Sequence, residues 1–385
     1  MKGMNKTLLI ALAMTGLLMG CASEEDAVQM APLPEVEDQF QPQLAWKHQV
    51  GEGVGNYYSQ LTPAYRYGKL FVADRDGQVK ALDPESGDVL WQADVAENKP
   101  ARLSGGITAA YNRIFIGSEN AELLAFDHAS GELLWRVDTQ GEVLSRPLAD
   151  STLVMVNTSR GVLEAFSALD GERRWQISTE VPTLTLRGDS SPAAVGGAVF
   201  WGMANGRLGA ALVDDGQMLW QQSIATPKGA TEIDRLVDVD ASPLILGERL
   251  FIAGFNGELV SISLQTGQAA WKRPYSTSKD FVVDGQRLVL VTDEDHVVAV
   301  DIRSGTELWR NRDLEYRLLT APAIIDGKAV VADGEGYLHW LSLSDGEFVA
   351  QQAVNDSGIA VPPIAVGQSY VLMTREGEVQ RLQIP

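Results

Sequence analysis

Four histidines (His48, His128, His296, His339) and one cysteine, Cys21, are the side chains of this 385-residue sequence best suited to hold a metal or attack a carbonyl. A zinc site needs several such ligands at short, fixed spacings. Here the histidines fall in separate stretches and no two stand at ligand spacing. A G-x-S-x-G elbow, an H-E-x-x-H pair and a glycine-rich phosphate loop are all missing. The histidines are therefore expected to be exposed or hydrogen-bonded, with no catalytic residue, no cofactor and no metal. A net charge of −20 argues against nucleic acid, whose phosphates demand Lys and Arg.

The chemistry left is recognition. In "PTLTLRG" (182–188), Leu184 and Leu186 flank Thr185 and precede Arg187; in "TEIDRLVDVD" (231–240), Asp238 and Asp240 alternate with apolar residues. Exposed leucines beside an arginine and carboxylates make a protein-binding hot spot. The same residues also fit an internal arrangement, an Arg187–Asp238 salt bridge with the leucines tucked under the loop. The sequence leaves both open.

What positions these residues is a repeat. "DGQVKALD" (76–83) recurs as "NAELLAFD" (120–127), "RGVLEAFS" (160–167), "NGRLGAAL" (205–212), "NGELVSIS" (256–263), "EDHVVAVD" (294–301), "EGYLHWLS" (335–342) and "EGEVQRLQ" (376–383). Successive starts lie 38 to 51 residues apart. Each copy reads as a turn followed by a strand, and each is preceded by a β-branched or aromatic run such as "LFVA" (70–73). Seven copies are followed by a glycine with a tryptophan four residues on, as in Gly87/Trp91, except that Gly346 is followed by Ala350. Four strands per repeat of about 40 residues is the signature of a propeller blade. The tryptophans are expected as wedges between blades, and Asp83, Asp127 and Asp301 as partners of the turns that follow them.

The last repeat ends without its tryptophan strand, while "LAWKHQV" (44–50) carries Trp46 with no strand before it. The expected fold is all-β: an eight-bladed β-propeller over 44–385, made of four-stranded blades, in which the N-terminal strand completes the last blade near 377–384 and removes the open edges. Aligned on Pro63, Pro147, Pro192, Pro243, Pro322 and Pro362, the longest connection is Gln221 to Ser242, and the one before it runs from Gln176 to Ser191. Arg187 and Asp238 each stand five residues before the proline of their own repeat, so they occupy equivalent places on neighbouring blades and on one face.

Residues 1–20 read as an export signal: Lys2 and Lys6, an apolar run from Thr7 to Met19, then Gly20. The run is shorter than the 20 or so residues a membrane span needs. Leu18-Met19-Gly20-Cys21 resembles a bacterial lipoprotein box, which implies acylation of Cys21, and Ala22 implies outer-membrane sorting. Residues 21–43, rich in acids and prolines, are expected to be a lipid-anchored flexible tether.

The blade repeat itself resembles that of quinone-dependent alcohol dehydrogenases, whose likeness implies paired cysteines and calcium ligands. With one cysteine, no such pair exists here. The two loop motifs, the lipoprotein box and "EGYLHWLSLSDGEFVAQQ" (335–352) are together more specific. They are similar to the BamB family, the propeller lipoproteins of the outer-membrane β-barrel assembly machinery. That resemblance implies a non-catalytic scaffold, held at the periplasmic face of the outer membrane, that docks on POTRA domains of BamA through Leu184, Leu186, Arg187, Asp238 and Asp240. The alternatives are capture of unfolded barrel substrates at a blade edge and a quinone-dependent dehydrogenase.

Overall fold

The computed structural model describes residues 29–150 and 152–385. The chain divides into two compact units, Met1–Met30 and Ala31–Pro385. The signal segment, the lipoprotein box and Cys21 lie outside the described residues.

The second unit carries eight four-stranded antiparallel sheets. The first blade is built from Ala64–Arg66, Lys69–Ala73, Gln78–Leu82 and Val89–Asp94, in that order from the axis outward. The next six repeat this plan, and neighbouring blades sandwich the two middle strands of each. Such strands are buried on both faces and so read as unbroken apolar runs, as in Arg113–Ser118. The eighth blade has only three strands from its own repeat, and Gln43–Gln49 supplies the fourth, with Gln43 opposite Gln383 and Gln49 opposite Glu378. Closure therefore happens as the unmatched ends of the repeat require.

The tryptophans act as inter-blade wedges. Each outer strand that carries a tryptophan has a β-bulge beside it, so Trp91 stands opposite Ala81 while Val89 stands opposite Leu82. The Trp91 indole donates to the His128 carbonyl of the next blade at 3.0 Å, and its ring packs against Gly131. A Cβ at Gly131 would lie 2.4 Å from that ring, which explains a glycine here beyond its φ of +77°. Trp46, Trp135, Trp175, Trp271 and Trp309 each donate in the same way to the following blade. Trp220 departs from the pattern: it is half-buried, and nothing stands within 4 Å of the Cβ position of Gly267. Asp83, Asp127 and Asp301 accept from the backbone of the turns after them, at 2.8–3.1 Å.

The seventh blade inverts the usual pair. In the first six blades a small residue on the third strand faces a tryptophan on the fourth, but here Trp340 faces Ala350. Trp340 fills the space from the other strand, edge-on to Tyr370 of the eighth blade at 5.1 Å and to Phe40 at 5.3 Å. Phe40 belongs to the segment expected to be a free tether. The described part of that segment, from Ala31 onward, is instead seated along the seventh blade: Gln39 N–H donates to the Val349 carbonyl at 2.9 Å. Its composition forbids a core of its own, but an apolar side chain lent to another core needs none.

Candidate functional site

The connections between an outer strand and the next inner strand emerge on one face of the ring, together with the turns between second and third strands. Two of them, 179–192 and 224–243, carry the five residues singled out by sequence.

Asp238 is fixed first. Its backbone carbonyl accepts from Phe255 N–H at 2.8 Å, which pins it to a turn of the fifth blade. Its carboxylate reaches back to the fourth blade's connection and accepts from Leu186 N–H at 3.1 Å and from its neighbour Val239 N–H at 2.9 Å. Only 2% of Asp238 and 7% of Asp240 is exposed, so neither carboxylate faces a partner. Burial pushes Asp238 up to about 6, against the pull of its two backbone donors. Burial and then the adjacent Asp238 hold Asp240 well above the usual carboxylate range. Asp189, buried beside them, is raised well above its ordinary value by the same two causes, burial and then the charge of Asp240. Gly188 makes this packing feasible, since a Cβ there would lie 2.9 Å from Asp240 Oδ2 and 3.2 Å from the Tyr58 hydroxyl oxygen.

Arg187 does not pair with Asp238. Its guanidinium turns to the preceding blades, with Nη1 3.0 Å from Glu142 Oε2 and Nη2 3.5 Å from Glu119 Oε2. The difference is access: Asp238 is buried beneath the loop and turned to the Leu186 and Val239 amides, whereas the Glu142 side chain is 36% exposed and within reach. Glu119 also holds Arg75 at 2.8 Å, and the Arg75 guanidinium lies 3.8 Å over the Tyr57 ring. A string of alternating charge therefore crosses three blade boundaries on this face. Half of the Arg187 side chain remains exposed, and a guanidinium with five N–H donors has several left after these contacts.

Leu184 is 44% exposed on the same loop. Leu186 is half-buried and, with Leu144, Asn157 and Met203, lines a cavity of about 260 Å³ beneath Arg187. Of the five residues, Leu184 and Arg187 reach the surface, Leu186 is shared between surface and cavity, and the two aspartates are structural supports. The inter-blade bridge weighed at the sequence level is thus replaced by Arg187–Glu142. Glu142 was overlooked there, although it stands five residues before Pro147, the same repeat position as Arg187 and Asp238. Tyr57, 58% exposed, and Ile233, 74% exposed, also enlarge the apolar part of this face and carried no repeat signal.

Among the described residues no group of three His, Cys, Asp or Glu side chains is placed to hold a metal. His339 is buried and hydrogen-bonded to Asp333 at 2.9 Å.

Comparison with known proteins follows the geometry. A family model described as outer membrane protein assembly factor BamB matches residues 42–101, 75–311 and 293–384. The outer membrane protein assembly factor BamB of Vibrio cholerae is 58% identical over 384 residues, covering 100% of both chains. Among solved structures, BamB from Moraxella catarrhalis superposes with a TM-score of 0.80 at 24% identity, over 89% of this chain and 100% of that one. A europium-containing methanol dehydrogenase superposes with a TM-score of 0.70 at 14% identity, over 87% of this chain and 83% of that one, which shows a shared fold alone. By the family model and the full-length identity, the chain belongs to the family of outer membrane protein assembly factor BamB.

Proposed function

We propose that the protein is a non-catalytic scaffold of the outer-membrane β-barrel assembly machinery, anchored to the outer membrane through lipid on Cys21, on the periplasmic side. Its loop face docks on POTRA domains of BamA. Leu184, Leu186 and Arg187 form the contact; behind it Asp238 holds the backbone of Leu186 and Asp240 packs against Gly188.

The observation that carries this reading is the pairing of an exposed leucine with a half-exposed arginine on a loop fixed from below by a buried carboxylate. A loop held before binding loses little entropy on binding. Arg187, oriented by Glu142 and Glu119, presents its remaining donors to a carboxylate or backbone carbonyl of the partner. Membership of a family named for outer membrane protein assembly supports the setting of this contact.

A photoreactive amino acid at position 184, in cells, tests the proposal. Crosslinks to BamA from 184, and none from the exposed Leu169 on the third blade, are expected. Equal labelling from both positions would remove the assignment of this face.

A further inference from the structure

The segment before the first strand is held at three places. At Ala31, the backbone N–H donates to the Glu315 carbonyl and the carbonyl accepts from Arg317 Nη1, both at 2.9 Å. In the middle, Gln351 N–H donates to the Asp38 carboxylate at 2.8 Å, Gln39 N–H donates to the Val349 carbonyl at 2.9 Å, and Gln351 Nε2 donates to the Pro34 carbonyl at 3.4 Å. At the end, Phe40 packs edge-on to Trp340, with Lys328 Nζ 5.2 Å over its other face.

The groups that hold it are built in. Arg317 is 1% exposed and pairs with Asp333, 2.8 Å away and itself fully buried. His339 donates to Asp333 from Nε2, so its Nδ1 is the acceptor for Gln351 Nε2 at 3.3 Å. Tyr316 and Leu318, at φ +56° and +57°, flank Arg317 in the left-handed region, which non-glycine residues rarely adopt. The chain keeps two such residues in order to turn Arg317 inward while Leu318 remains 68% exposed. Arg317 stands five residues before Pro322, the repeat position that Arg187 occupies in its own blade. One position thus serves an exposed arginine in one blade and a buried peptide clamp in another.

We propose that the seventh blade is a binding site for an extended peptide and that residues 31–42 are its resident ligand, so that the chain joins the ring at Ala31. Ala31 meets Glu315 and Arg317, which lie in the connection of residues 312–322 on the loop face. Gln43, by contrast, starts its strand opposite Gln383, at the far end of the eighth blade. The docked segment therefore moves the point of attachment across the ring's thickness, onto the face that carries Leu184 and Arg187. If Cys21 bears lipid, a consequence that rests on the proposed function, nine residues separate the anchor from Ala31 and the span reaches at most about 35 Å. A chain free to Gln43 would reach about 75 Å.

Hydrogen exchange on the full chain tests the docking without needing lipid or BamA, so its failure is distinct from failure of the proposed function. The Ala31 and Gln39 amides are expected to exchange at least about tenfold more slowly than in an unstructured peptide of the same sequence. Phe40→Ala and Gln351→Ala are expected to abolish that protection while leaving the middle strands protected; both spare the buried Arg317–Asp333 pair, whose loss could unfold the blade. Peptide-like exchange at Ala31 and Gln39 in the wild type, or protection unchanged in both variants, would overturn the proposal.

Discussion

The carboxylate of Asp238 accepts a hydrogen bond from the backbone N–H of Leu186 at 3.1 Å, joining two connections that are 52 residues apart in sequence. The Leu186 loop is thus positioned by a side chain that is 2% exposed. Asp238→Ala leaves the Leu186 N–H without its acceptor. Leu186 is expected to exchange at least about tenfold faster, with the eight blades still folded by circular dichroism. An unchanged exchange rate at Leu186 would show that the loop is held by its other contacts.

The buried acids predict a pH dependence of definite sign. Asp238, Asp240 and Asp189 are all raised above the ordinary carboxylate value, first by burial. The native state therefore binds more protons than the unfolded chain above pH 4 or so, and stability contributed by these groups falls as pH rises above the ordinary carboxylate range, through about 6 for Asp238. Asp240→Asn mimics the protonated carboxyl. It is expected to flatten the decline of Tm between pH 5 and pH 8 and to raise Tm at pH 8 by about 1–3 °C. A variant whose Tm falls as steeply as the wild type would contradict the assignment.

Wedge tryptophans should differ in worth. Trp91 is 9% exposed, donates to His128 and is seated on Gly131, whereas Trp220 is half-buried and faces open space at Gly267. Trp91→Ala is expected to cost about 3–5 kcal/mol and Trp220→Ala clearly less. Denaturant melts of the two variants decide this, and equal costs would mean that the seat on the next blade adds nothing.

The ring was legible because its signals repeat: turn and strand recur eightfold, a glycine follows seven of the copies and a tryptophan stands four residues after six of those glycines, and the two unmatched ends can only complete each other. The site was legible in part. Arg187 and Asp238 were placed on neighbouring blades by counting back from their prolines, but pairing them ignored Glu142 at the same count in the blade before. Composition shows a carboxylate; it does not show that the carboxylate is buried and turned to backbone donors. The docked segment was missed for a related reason. Prolines and acids in 23–43 argue against independent folding, yet the place for Phe40 was written elsewhere, in the single repeat where Trp340 and Ala350 exchange sizes.

Calorimetric titration of the propeller, lacking residues 1–21, with the POTRA segment of BamA tests the central claim most directly. Arg187 is half-exposed, and a surface ion pair contributes about 0–1 kcal/mol, so Arg187→Ala should fold and melt nearly as the wild type does. Binding is expected to weaken by about 30-fold or more in Arg187→Ala and in Leu184→Ala. Wild-type affinity in both folded variants would contradict the account and move the docking surface away from this loop.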